Sequence, residues 1–117
     1  MHLEELRDYC LSKDETTESL PFGPDTLVFK VANKMFALTG LKSFESVNLK
    51  CDPERAIQLR ESNSDVVPGY HMSKAHWNTV RVNQTLTDIE VKELIDHSYD
   101  LIVSGLPIKD RERFENR

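Results

Sequence analysis

The stretch GYHMSKAHWNTVRV, residues 69–82, gathers two of the four histidines, the only tryptophan, a lysine and an arginine in a 117-residue chain whose formal net charge is −5. Three chemistries could use such a set. A metal site is the first. His71 and His76 are imidazole donors, but at five positions apart they point to opposite faces of a regular strand, and no close carboxylate joins them. Surface or hydrogen-bonded imidazoles are the preferred reading. Catalysis is the second. Ser73, His76 and Asp96 supply the residue types of a nucleophilic triad, yet the sequence carries neither a nucleophile elbow nor a glycine-rich oxyanion loop. Cys51 with His71 fares no better, because alternation turns Cys51 to the apolar face of its strand. No catalytic residue, metal or cofactor is assigned, and the chain is expected not to be an enzyme.

The third chemistry is contact with an anion. Lys30, Lys34, Lys42, Lys50, Lys74 and Arg81 are cations of the strand region, with Asn33, Asn48, Asn78, Ser73 and Thr79 as neutral donors. Hairpin tips with these groups can touch phosphates without a recognition helix, since contacts to a phosphate backbone need only charge and donors. The charge distribution favours the middle of the chain. Residues 1–25 hold 2 basic and 7 acidic side chains, residues 26–84 hold 8 and 5, and residues 85–117 hold 5 and 8. An anionic partner should therefore meet the central segment. The competing reading, lysines that face solvent and protect sheet edges, is at least as good on these residues alone. The carboxylate rows Glu4, Glu5, Asp8 and Glu93, Asp96, Asp100 read as solvated helix faces rather than as a cation site.

These side chains need elements to position them. Leu3, Leu6 and Cys10 recur at helical spacing, and the helix they imply ends near Ser12. PFGPD, residues 21–25, turns the chain. From Thr26 the period is two, with Leu27, Phe29 and Val31 on one face, and a hairpin around Asn33-Lys34 leads into MFALTGL. ESVNLKC is a third strand, with Val47, Leu49 and Cys51 opposite Ser46, Asn48 and Lys50. Asp52-Pro53 opens a short helix over 53–62. Val66 to Val82 is extended, with Trp77, Thr79 and Arg81 on one face and Asn78, Val80 and Val82 on the other. Packing under the hairpin is the preferred state of the lone indole; an exposed indole would be a stacking platform. Thr87 and Glu90 form a capping box for the longest helix, whose buried stripe is Val91, Leu94, Ile95, Ser98, Leu101 and Ile102. Gly105 and Pro107 stop it. A charged tail follows from about 107 and is expected to fray, with Phe114 as its one anchor.

Strands in the middle with helices before, between and after predict an α+β fold, an antiparallel sheet packed on one face by helices. A hairpin-linked sheet is not the doubly wound kind, and no Walker loop or dinucleotide glycine pattern is present. The length suits one domain, 1–117. No apolar run is long enough to span a membrane, and no signal-peptide pattern opens the chain, so a cytoplasmic protein with buried, reduced Cys10 and Cys51 is expected.

PFGPDTLVFKVANKMFAL, VNLKCDPERAIQLRE, VVPGYHMSKAHWNTVRV and SYDLIVSGL, in this order and spacing, resemble the MmcQ/YjbR family of small bacterial proteins from about Leu3 to Leu106. The resemblance implies a CyaY-like arrangement of helices against an antiparallel sheet. It also implies DNA binding through a double wing of β-hairpins, with wings around Asn33-Lys34 and Ser73-Lys74-Ala75. The first wing departs from the family in lacking a glycine at its turn. The candidate nucleic-acid-binding residues are thus Lys30, Asn33, Lys34, Ser73, Lys74, His76, Asn78 and Arg81, on a monomer that contacts phosphates without reading bases. In that reading Tyr70, Trp77 and Val80 or Val82 hold the second hairpin down. The alternative is a module that meets a protein partner and has no nucleic-acid role.

Overall fold

The computed structural model of the protein describes residues 1–115. In chain order the elements are α1 (Leu3–Leu11), β1 (Thr16–Ser19), β2 (Thr26–Val31), β3 (Lys34–Gly40), β4 (Ser46–Lys50), α2 (Pro53–Ser62), β5 (Val66–Pro68), β6 (Trp77–Arg81), α3 (Asp88–Ser104) and α4 (Ile108–Glu115). The six strands form one sheet in the order β1-β2-β3-β4-β6-β5, antiparallel at every step. This is the expected α+β architecture. β1 is an addition to it, an edge strand of sequence TTES that pairs Thr16–Ser19 with Val28–Val31.

Alternation along the strands decides which face is sealed. Leu27, Phe29, Val31, Ala37, Val47, Leu49 and Val80 meet Leu6 and Cys10 of α1 and Val91, Ile95 and Ile102 of α3 in the main core. Each valine, leucine, isoleucine and phenylalanine among them contributes roughly 1.5–3 kcal/mol when fully buried. The long helix starts where its capping box predicts: Thr87 Oγ1 accepts from the Glu90 N–H, and the Glu90 carboxylate accepts from the Thr87 N–H. Asp52 caps α2 by accepting from the Arg55 N–H, with Pro53 at the first helical position.

Ser98 does more than fill the stripe. The β2–β3 register shifts between Phe29 and Lys30, and the β3–β4 ladder pairs only Ala37 with Leu49 and Leu38 with Asn48. Beyond those pairs the fully buried Ser98 hydroxyl enters the gap. It donates to the Phe36 carbonyl and accepts from the Lys50 N–H, so two ladder groups keep partners where the strands part.

The charged tail does not fray as expected. It forms α4, and Phe114 packs edge-on against Tyr99 with ring centroids 6.5 Å apart, as an anchor should. The final two residues of the tail lie outside the described residues.

The register also orients the loops. β2 and β5 run toward one end of the sheet, and β3 and β6 start from it. The β2–β3 turn and the β5–β6 connection therefore leave the same end, separated by the end of β4.

Candidate nucleic-acid interface

The first connection is two residues long. Ala32 and Asn33 both adopt positive φ, 49° and 64°, which is the backbone of a tight hairpin turn whose twist matches the strands it joins. The turn expected at Asn33-Lys34 is thus one residue earlier, and Lys34 is the first residue of β3, paired with Val31. Asn33 and Lys34 are exposed at the tip, and Lys30 is half-buried one position before the end of β2.

The second connection, residues 69–76, is longer and is not a free wing. Its start is fixed by Gly69, whose N–H donates to the Trp77 carbonyl at 2.8 Å. The Tyr70 N–H then donates to Thr79 Oγ1 at 3.0 Å, and the same hydroxyl donates to Asn48 Oδ1 at 2.7 Å. These bonds fold the loop back across the face of the sheet that carries no helix. Met72 packs there with Trp77, Val28 and Leu38 in a small second core. On the other side Arg60 of α2 donates from Nη2 to the Lys74 carbonyl at 3.1 Å.

Trp77 is 8% exposed, so the indole anchors the hairpin as the alternation allowed. Tyr70 does not share that task. It is 69% exposed, and Met72 takes the place beside the indole.

Six of the eight candidate residues belong to the two hairpins that leave one sheet end. Lys30, Asn33 and Lys34 belong to the first hairpin, and Ser73, Lys74 and His76 to the second, all but Lys30 exposed. Lys50, at the end of β4 between them, joins this set. The other two do not. Asn78 is 2% exposed and turns to the helical side, its Nδ2 within 3.4 Å of the Ala56 carbonyl. Arg81 pairs with Ser46 at the opposite end of the sheet, where its guanidinium donates to the Ser64 carbonyl at 3.2 Å and lies 4.0 Å from Asp65. Asp65 is itself held by Thr85, whose two donors keep the carboxyl below the usual range.

The other chemistries find little support in the arrangement. Among the described residues no three histidine, cysteine or carboxylate side chains gather as metal ligands. Asp96, offered above to a triad, accepts from the Tyr9 hydroxyl at 2.6 Å and pairs with Lys13 at 2.5 Å, on the helical side of the sheet. Burial pushes the Cys10 thiol up to about 12 and also raises that of Cys51, so neither is a ready thiolate at neutral pH. No helix among the described residues is long and apolar enough to cross a membrane.

The geometry has known counterparts. Residues 11–101 match a family model described as YjbR. The chain is 35% identical to the uncharacterized protein YjbR of Escherichia coli K12, over 96% of both chains. It is 36% identical to the uncharacterized protein YbdF of Escherichia coli O157:H7, over 80% of this chain and 77% of the relative. Protein DR2400 of Deinococcus radiodurans, a crystal structure described as domain DUF419, superposes with a TM-score of 0.89 at 35% identity, covering 95% of this chain and 86% of that one. A crystal structure of a Pseudomonas syringae protein matches with a TM-score of 0.72 at 31% identity, over 86% of this chain and 98% of that one.

Proposed function

The chain belongs to the YjbR family, and from that premise we propose that it binds DNA weakly, without base readout, by setting backbone phosphates against the cationic end of its sheet. One observation carries the reading. Both hairpin connections leave the same sheet end, which carries Lys30, Lys34, Lys50 and Lys74; among the described residues none of these four is ion-paired, and Asp14, Glu15 and Asp52 stand at the same end. Ammonium groups on flexible stems suit phosphates, which ask for charge and not for a fixed fork. The net charge of −5 keeps the affinity low. Neutralising about three or four phosphates gives a log–log salt slope near −3.

A duplex titration at low and at moderate salt tests this. Lys34→Glu and Lys74→Glu should each abolish binding. Arg81→Glu should leave it nearly unchanged, because that guanidinium sits at the far end of the sheet. Failure to bind duplex at low salt, or indifference to both lysine changes, removes the reading and leaves the module that meets a protein partner.

A further inference from the structure

We propose that the helix-free face of the sheet holds a second site, a pocket for a small, uncharged, planar heteroaromatic molecule of about nucleoside size. It stands apart from the phosphate contacts and does not depend on them. A groove of about 470 Å³ lies on this face, within the size range of small-molecule sites. Its floor is Leu38, Asn48 and Thr79 on β3, β4 and β6, and its walls are Phe22 from the β1–β2 connection and Tyr70 with Met72 from the folded-back loop.

Three features select the ligand class. The first is aromatic surface: Phe22 is 64% and Tyr70 69% exposed, and both line the same groove. Single exposed apolar residues are ordinary, but two aromatic rings on one concave surface offer a planar ring stacking partners. The second is charge. No aspartate, glutamate, lysine or arginine side chain lines the groove, and His71 and Tyr70 are its only ionisable lining groups, so an ionised ligand would shed water there without a permanent counter-charge. The third is hydrogen bonding. Thr26 and Ser46 bring hydroxyl groups to the rim, whereas Asn48 and Thr79 are already joined to each other and to Tyr70, a fixed polar floor. A heteroaromatic edge can exchange hydrogen bonds with the first pair while its face lies on the rings.

The loop is built to hold this shape. His71 takes a left-handed backbone, φ 57°, uncommon for a non-glycine residue. It lies between the Tyr70 bond to Thr79 and the turn closed by the Met72 N–H donating to the Gly69 carbonyl at 3.3 Å. The result sets the Tyr70 and His71 rings edge to face, with centroids 5.6 Å apart.

Trp77 supplies the readout. It is the only tryptophan, and it packs on Leu38 and Met72, both of which line the groove. In an NMR titration of the full chain with adenosine, the Trp77 indole N–H and the Tyr70 and Met72 amides should shift together and saturate. Phe22→Ala and Tyr70→Ala remove exposed rings that the core does not need, and each should weaken binding about tenfold. Gly40→Phe should abolish it by filling the groove, since a Cβ at Gly40 meets nothing closer than the Ser43 carbonyl oxygen at 3.9 Å. Cyclohexanol should not bind, and adenosine monophosphate should bind no better than adenosine. The proposal fails if adenosine gives no saturable shift, if cyclohexanol matches it, or if Tyr70→Ala leaves the affinity unchanged. A response to single-stranded oligonucleotide alone would also overturn it, by making the groove part of a nucleic-acid interface.

Discussion

The two hairpins that leave the same end of the sheet solve the connection problem in opposite ways. The first turns in two residues, with its conformation fixed locally by the positive φ of Ala32 and Asn33. The second takes eight residues, and besides its own turn bonds it is held by Thr79, Asn48, Trp77 and Arg60, none of them in the loop. A tight turn projects whatever its strands carry, here Lys30 and Lys34. A long loop must find partners for its backbone groups, and it found them on the bare face of the sheet. A pair of equal wings is therefore a poor description: one hairpin protrudes, and the other becomes the wall of a groove.

The difference can be broken most severely at Gly69. A Cβ added there would lie 2.7 Å from the Trp77 Cβ and 2.9 Å from the Trp77 carbonyl oxygen, closer than real contacts allow. Gly69→Ala should cost about 3 kcal/mol in urea unfolding and detach the start of the loop. The amide spectrum of residues 31–35 should barely change. Next in size is Thr79→Val, which keeps the shape and removes the hydroxyl that links Tyr70 to Asn48. Leaving those two groups without their partner should cost about 2 kcal/mol and speed hydrogen exchange at the Tyr70 amide. If Thr79→Val is neutral and Tyr70 stays protected, side-chain packing alone holds the loop down.

This contrast also marks how far the sequence could be read. Leu27, Phe29 and Val31 declare a strand by alternation, Thr87 with Glu90 declares a helix start, and Asp52-Pro53 another, because each signal is local and the structure honours it. β1 was not legible, since TTES offers no apolar residue and becomes a strand only by pairing with β2. Ser98 could be placed in the buried stripe, but its bridge from Phe36 to Lys50 depends on a bulge in another element. Of the candidate site, the placement of Lys30 and Lys34 beside a tight hairpin turn was legible. Arg81 was not, because its nearness to Lys74 in sequence hides that β6 runs between them to the far end of the sheet. Phe22 and Met72 carried no signal of their own, and Asn48 and Thr79 were visible only as outward-facing donors. What joins the four is the fold-back of residues 69–76.

The first hairpin offers a smaller and opposite test. Alanine at a positive φ pays a steric penalty of about 1 kcal/mol that glycine avoids. Ala32→Gly should therefore stabilise the protein by up to about 1 kcal/mol, less what the freer unfolded chain takes back. Thermal unfolding would register the gain as a higher midpoint. A lower midpoint would mean that the Ala32 methyl group contributes packing that the turn geometry does not reveal.

The smallest effect separates the hairpins by pH. His97 Nε2 accepts the Asp52 N–H at 3.2 Å, at the cap of the helix whose Arg60 holds the Lys74 carbonyl. An acceptor imidazole must be unprotonated on that nitrogen, and burial, then the nearby Arg55 charge, holds its pKa below the ordinary 6.5. The unfolded chain thus binds this proton more readily than the folded one. The stabilisation is whole above pH 6.5 and is lost as pH falls from 6.5 through the folded value. Because the ring is only partly buried, the loss should be small. In that window hydrogen exchange at the Lys74 and His76 amides should quicken while exchange at Asn33 and Lys34, once corrected for the intrinsic effect of pH, holds steady. His97→Gln should flatten the response, since an amide does not titrate there. Equal changes at both hairpins would show that the acid effect is global and that α2 gives the second loop no separate support.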